Sequence, residues 1–381
     1  MSSSIKRKTT SQRFWSPSYK PRKTLWAQVP GETGRVKASQ ACAHRKRMRC
    51  PRLAEIPPPP NGKTGWPWTE ASDFQADAPA NGQPWPRLSV VTPSFNQGQF
   101  LEETIRSVLL QGYPNLEYLL LDGGSTDGSV EIIKKYSRWI SYWVSEPDGG
   151  QSEAINRGLR RATGEFATWI NSDDLLCRNA LAKHAENAGF HPNTVYIGFC
   201  LYIDEQSRPV AVHQGQVRSL RDLVRIEKVW RAESYRGHID QPAVLFPREL
   251  ALLAGGLNRE NHATMDYELW GALLMAGATF QYTDIQFGMF RQHGAQKTAN
   301  MLAQTESLIR SAAELTRRVD EFSEQEKQEI LGELESYLRK FRAAYWKGSG
   351  RLAKIGLPPV IVTPLRQVWS FIAKSSKASA P

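Results

Sequence analysis

Two neighbouring aspartates, Asp173 and Asp174, close the stretch Asn171-Ser172-Asp173-Asp174, which directly follows the apolar run Phe166 to Ile170. Adjacent carboxylates repel unless a cation or hydrogen-bond donors compensate them. A hard divalent ion, Mg²⁺ or Mn²⁺, does so through one or two protein carboxylates, with diphosphate oxygens filling its other positions. For an isolated pair, an acidic cap on the helix after Arg178 is the simpler explanation. A second acid set, Met265-Asp266-Tyr267-Glu268-Leu269-Trp270, opens a helical pattern. Asp266 in a first turn is expected to stay ionised beside the amide dipoles, and so to accept a proton at neutral pH. Glu268 points elsewhere on that helix, and an ordinary helix start has the same appearance. Between these sets, apolar runs end at Leu121-Asp122-Gly123-Gly124 and at Pro147-Asp148-Gly149-Gly150, with Gln151, Asn156 and Arg157 on the helix that follows. By themselves the glycines suit a tight turn before a helix.

The elements needed to place these groups are legible around them. A short apolar run at Leu88, Val90 and Val91 ends in Pro93-Ser94-Phe95-Asn96, and a helix follows with Leu101, Ile105, Val108 and Leu109 on one face. Tyr118 to Leu121 forms the next strand; Thr126 and Asp127 offer a cap for a helix carrying Val130, Ile133 and Tyr136. Tyr142 to Val144 and Phe166 to Ile170 complete a strand-helix alternation, which predicts an α/β domain with an open, mainly parallel sheet flanked by helices. Ligands of such sheets bind beyond the carboxyl ends of the strands, where these polar clusters fall. Val195 to Tyr202 reads as a strand and Thr279 to Phe290 as paired strands. Two amphipathic helices are expected at about 302–318 and 323–345.

Four segments, Ser89 to Asn96, Leu121 to Gly128, Ser145 to Gln151 and Trp169 to Asp174, resemble in order and strand-end placement the family 2 glycosyltransferases of bacterial polysaccharide synthesis. The resemblance covers about residues 87–298 and implies a GT-A fold, a nucleoside-diphosphate sugar donor, usually a uridine one, and a non-processive inverting transfer to an acceptor hydroxyl. It implies that Phe95 stacks on the base with Pro93 and Ser94 beside it, that Asp122 accepts from the base's imide N–H, that Asp173 meets the ribose or sugar, and that Asp174 binds a divalent metal. It places Asp148, Gln151 and Asn156 toward the donor, makes Asp266 the general base, sets Gln241, with His238 and Asp240, at the acceptor and sugar pocket, and brings His293 near the diphosphate and metal. Glu268 is a secondary acceptor-side candidate. This chain has Asn171 and Gly123 where many members carry Asp. The Gln-x-x-Arg-Trp motif and membrane helices of processive synthases are absent from the sequence.

The chain has 381 residues, 49 Lys and Arg, 38 Asp and Glu, and a formal charge of +11. Residues 1–52 hold 14 basic residues and one acid, Glu32, so the rest of the chain is slightly acidic. That asymmetry predicts a basic, Pro-rich, disordered tail over 1–86, while the resemblance implies a catalytic domain over 87–298 and the amphipathic pattern a helical extension over 299–381. No specific nucleic-acid partner is expected, though a scaffold or nucleic-acid role for the tail is the non-enzyme alternative. A sugar-nucleotide nucleotidyltransferase is the enzymatic alternative; it calls for a Gly-rich basic loop where Pro93 to Gly98 stands. Cys42, Cys50, Cys177 and Cys200 are irregularly spaced, the N-terminus lacks an apolar run, and no stretch reaches the roughly 20 apolar residues of a membrane span. A cytoplasmic protein is expected, with Val360 to Ile372 a candidate peripheral contact at the inner membrane face, toward a glycan or lipid-linked acceptor.

Overall fold

The computed structural model describes residues 50–73, 84–188, 190–226, 238–294, 296–297 and 300–346. Expectations for the basic tail up to residue 49, for Cys42 and for residues 347–381 lie outside them. Among the described residues the sheet has nine strands. Its first half is β1 (Leu88–Ser94), β2 (Leu116–Asp122), β3 (Tyr142–Ser145) and β4 (Phe166–Trp169), all parallel, with Ser94 opposite Asp122 and Asp122 opposite Ser145. The second half holds β5 (Leu175–Leu176), β6 (Thr194–Ile203), β7 (Pro209–His213), β8 (Val244–Pro247) and β9 (Thr279–Arg291). Here only β6 and β9 run parallel; β4/β8, β6/β8, β6/β7 and β5/β9 are antiparallel. The parallel expectation therefore describes the half with crossover helices, because short returns such as 204–208 can join only antiparallel neighbours. The segment read as paired strands is one long strand, β9, whose polar Thr283 and Asp284 coincide with a register irregularity against β6.

Alternation along the strands divides the core between two faces. Val90, Tyr118 and Leu120 pack with α1 (Gly98–Leu109), α2 (Ser129–Tyr136) and α4 (Ala180–Ala188). Val91, Leu119 and Leu121 join a core with α3 (Gln151–Arg161), α5 (Leu220–Val224), α6 (Arg248–Leu253), α7 (Met265–Met275), α8 (Met301–Arg318) and α9 (Glu324–Trp346). Gly158 of α3 permits this: a Cβ there would lie 2.5 Å from a Val91 methyl and 3.1 Å from Leu121. Among the described residues no helix is long and apolar enough to cross a membrane.

Residues 50–73, expected to belong to the disordered tail, pack on the α1 face instead. Arg106 of α1 is fully buried and donates to the carbonyls of Pro57 (2.8 Å), Pro67 (3.0 Å) and Trp68 (2.8 Å). Trp66 Nε1 donates to the Leu176 carbonyl (2.9 Å), and the Arg106 guanidinium lies over the Trp68 ring. A buried guanidinium needs its donors satisfied, so the segment and the helix hold each other. Cys50 is buried as well, its thiol donating to the Tyr113 carbonyl; burial pushes that thiol up to about 12.

Candidate active site

A cleft of about 1370 Å³ opens beyond the carboxyl ends of β1 and β4. Pro93, Ser94 and Phe95 line it where β1 ends, and the Phe95 ring is 61% exposed. Asp148 and that ring both flank Gly123: a Cβ there would meet the Asp148 carboxylate and the Phe95 ring, each at 3.3 Å. The room a side chain would need at position 123 is thus already taken by Asp148. Gly150 N–H donates to Asp148 (2.8 Å).

Asp122 does not face the cleft. Its carboxylate, 1% exposed, accepts from Gly124 N (3.2 Å), Ser125 N (2.9 Å), Ser125 Oγ (2.6 Å) and Ser145 Oγ (2.7 Å). With its lone pairs committed to the turn and to β3, it has none to offer a base. Asn156 is likewise structural, its amide clamping both N–H and C=O of Leu257 (2.9 and 2.7 Å). Arg157 pairs with Glu146 rather than reaching the cleft. Glu268 accepts from Asn258 (2.9 Å), Asn261 (2.8 Å) and Ser311 (2.8 Å), which ties α7 to its preceding loop and to α8, and it is not among the residues that line the cleft.

The acid pair separates into two roles. Asp174 is 1% exposed, accepting from Arg291 N (2.9 Å) and Asn171 Nδ2 (3.0 Å); burial, then the charge of Asp173, raises its carboxyl well above the usual range. Asp173 is the more open carboxylate, with His293 Nε2 at 3.0 Å. Asn171 also donates to Gln241 Oε1 (3.3 Å) and accepts from Gln151 Nε2 (2.7 Å), while Gln241 Nε2 donates to the Trp169 carbonyl (2.6 Å). Arg291 organises the loop, donating to the Asp173 carbonyl (2.8 Å) and pairing with buried Glu103 (3.0 Å). Among the described residues no three metal-ligating side chains converge. The set nevertheless fits a cation that arrives with substrate oxygens: a hard ion needs only one or two protein carboxylates, and the two neighbouring acids repel each other without it.

Asp266 lines the same cleft from the first turn of α7. Burial raises its carboxyl to about 6; the charges of Asp240 and Glu268 add to this and the Tyr267 N–H (2.8 Å) opposes it. The ionised state expected from the helix dipole is thus weakened by desolvation. Farther along the wall, Asp240 is buried between the Tyr202 hydroxyl, His213 Nδ1 and, at 3.5 Å, His238 Nε2. Burial pushes its carboxyl up, but the histidines and the tyrosine outweigh this and hold it below its ordinary value.

Two groups, one behind this wall and one in it, escaped sequence reasoning. His213 lies in β7 with no motif around it, and Lys297, in the loop after β9, donates to Gln151 Oε1 (2.8 Å). The second had a faint signal, since it follows His293 by one turn's spacing.

Residues 89–243 match the family model described as Glycosyl transferase family 2. An uncharacterized glycosyltransferase of Rickettsia typhi is 27% identical over 223 residues, covering 58% of this chain and 69% of that protein. The putative teichuronic acid biosynthesis glycosyltransferase TuaG of Bacillus subtilis is 36% identical over 104 residues, 26% of this chain and 41% of TuaG. Among solved structures, S. aureus TarS in complex with UDP-GlcNAc superposes with a TM-score of 0.51 at 19% identity, covering 67% of this chain and 73% of that one. That last likeness concerns the fold, which is of the GT-A kind.

Proposed function

We propose, from the match of residues 89–243 to the family 2 glycosyltransferase model, that this chain transfers a sugar, with inversion, from a nucleoside-diphosphate donor to an acceptor hydroxyl, using Asp266 as general base. One observation carries the proposal: Phe95, Asp148, Asp173 and Asp266 line a single cleft although 171 positions separate the first from the last. The exposed Phe95 ring suits stacking on a base, and Asp148 beside it is the carboxylate available to a uracil-like imide N–H, the role Asp122 cannot fill. Ser94 Oγ, buried without a hydrogen-bond partner among the described residues, adds a group that a ligand can satisfy.

In the reaction, Asp266 takes the proton of the acceptor hydroxyl as that oxygen bonds to the anomeric carbon. The bond from that carbon to the phosphate oxygen breaks, and its electron pair leaves with the nucleoside diphosphate. A base near pH 6 is mostly ionised at neutral pH while remaining basic enough to help. Asp173 would hold a divalent cation, Mn²⁺ or Mg²⁺, with His293 orienting the carboxylate and Asp174 completing the acidic floor beneath. When bound, the cation supplies Lewis-acid neutralisation of the diphosphate. Gln241 and the Asp240 group line the acceptor side. A glycan or lipid-linked acceptor in cell-surface polysaccharide synthesis suits this reading.

Asp266→Asn tests the assignment. Calorimetry with the nucleoside diphosphate should show binding kept, while transfer to acceptor falls by about 10²- to 10⁴-fold. Turnover within a few-fold of wild type would remove Asp266 from the mechanism.

A further inference from the structure

At about 1370 Å³ the cleft exceeds the roughly 300–1,000 Å³ usual for one small ligand. Phe95 and Asp173, assigned to the donor, follow the ends of β1 and β4. The helices supply a different kind of wall. Leu223 of α5, Tyr267 and Trp270 of α7, Met301 and Leu308 of α8 and Tyr337 of α9 line the same cleft, yet each is only 1–8% exposed. All six belong to one buried cluster. Wall residues that meet so little solvent enclose a chamber rather than a groove open to bulk water.

Helix geometry joins this chamber to the base. Asp266 and Trp270 share one face of α7, a turn apart and so about 6 Å along its axis. Met301, Thr305 and Leu308 fall at i, i+4 and i+7 on one face of α8, a stripe about 10 Å long, and all three line the cleft. The Tyr267 hydroxyl is spent on the Leu223 carbonyl (2.8 Å), and Gln304 Nε2 on the Ala263 carbonyl (2.8 Å). What this wall offers is therefore chiefly carbon. A bare sugar lodged there would bury hydroxyls without partners, whereas an alkyl or aromatic group would gain by leaving water. A charged diphosphate suits the wall no better, and the base has Phe95 and Asp148, which leaves the acceptor as occupant.

We propose that the chamber between α5, α7, α8 and α9 receives a compact apolar group of the acceptor, alkyl or aromatic, and so presents that molecule's hydroxyl to Asp266. The inference rests on the transferase reading above and narrows its acceptor to a hydroxyl-bearing amphiphile rather than a free glycan. Because the inner end is enclosed, the chamber selects on length: carbon beyond what it holds adds no affinity. Five of the six lining residues lie outside the 89–243 segment that matches the family, so this selectivity belongs to the C-terminal half of this chain.

The test is calorimetry on the full chain, with MnCl₂ and either UDP or GDP present, against methyl, butyl, octyl and decyl β-glucosides below their micelle concentrations. Wild type, Leu308→Phe and Tyr337→Ala are compared. Wild-type affinity should rise about 10- to 100-fold from methyl to octyl and by less than about two-fold from octyl to decyl. Leu308→Phe, which narrows the chamber, should move the plateau to a shorter chain, and Tyr337→Ala, which widens it, to a longer one. The wild-type series stands by itself should either substitution prevent folding. Octyl glucoside bound no tighter than methyl overturns the assignment, as it would if another part of the chain or a second copy filled the chamber. So does affinity that keeps climbing to decyl, the mark of adsorption on an open surface, or a plateau that neither folded variant moves. In each of these cases nucleoside diphosphate binding by wild type leaves the transferase reading standing. A wild type that binds neither UDP nor GDP overturns that reading and this one together.

Discussion

At Asp266 two effects of different size compete. The start of a helix favours a carboxylate by about 0.3–1 kcal/mol, whereas burial beside other acids acts the opposite way and lifts the group to about 6. For the proposed role of Asp266 as base, the larger effect implies a function lost as pH falls, so kcat/KM should show an acidic limb centred near pH 6. A pH–rate profile with its limb near 4 would contradict the burial account. The same shift bears on stability. Because the folded protein binds this proton more tightly than the unfolded chain, stability falls as pH rises from 3.8 through about 6 and stays lower above that range. Asp266→Asn should therefore be more stable than wild type at pH 7, by at most about 3 kcal/mol, with the gap closing toward pH 4. Urea unfolding at the two pH values measures it. A gain of that kind would mark Asp266 as a group kept at a cost to stability.

Between elements, the acid loop is held by a clasp from α1 to β9. Glu103 and Arg291 are both buried, 3.0 Å apart, and the same guanidinium reaches the carbonyls of Asp173 and Asp204 and the hydroxyl of Ser207, while the Arg291 N–H holds Asp174. A buried pair of this kind contributes little net energy when intact, but removing one member strands the other. Glu103→Ala should cost about 3–5 kcal/mol by denaturant unfolding and weaken donor binding through the displaced loop. A loss under 1 kcal/mol would mean that water reaches Arg291. α3 joins the same design from the other face: its close approach at Gly158 sets the helix on Val91 and Leu121, which brings Gln151 to the acid loop.

For the molecule as a unit, the C-terminal helices belong to the core that supports the sheet. Leu308, Ile309, Ala312 and Leu315 of α8 and Phe341 of α9 share one buried cluster with Val91, Trp169 and Trp270, and Gly271 lets α7 approach Leu315 closely. The cleft wall itself includes Met301, Thr305, Leu308 and Tyr337. A chain ending at residue 300 would expose that cluster, and we expect it to lose a cooperative thermal transition and to aggregate. A soluble, cooperatively melting truncation with transferase activity would show that the helices are dispensable.

Residue order alone determined the strand-helix alternation, the position of each polar cluster at a strand end, and the likeness of Ser89 to Asp174 to family 2, because these depend on local periodicity and turn chemistry. It did not determine how side chains are used once strands become neighbours. Asp122 and Asp148 occupy equivalent strand-end turns, but the hydroxyl of Ser145 and the amides of the Gly124-Ser125 turn consume the first and leave the second at the cleft. Arg106 looks like a surface residue of an amphipathic helix until residues 50–73 supply the carbonyls that bury it. Lys297 and Gln151 lie 146 positions apart and meet only because the loop after β9 reaches the first residue of α3. Hydrogen bonds and desolvation depend on distance in space, and that is fixed by how the sheet orders its strands.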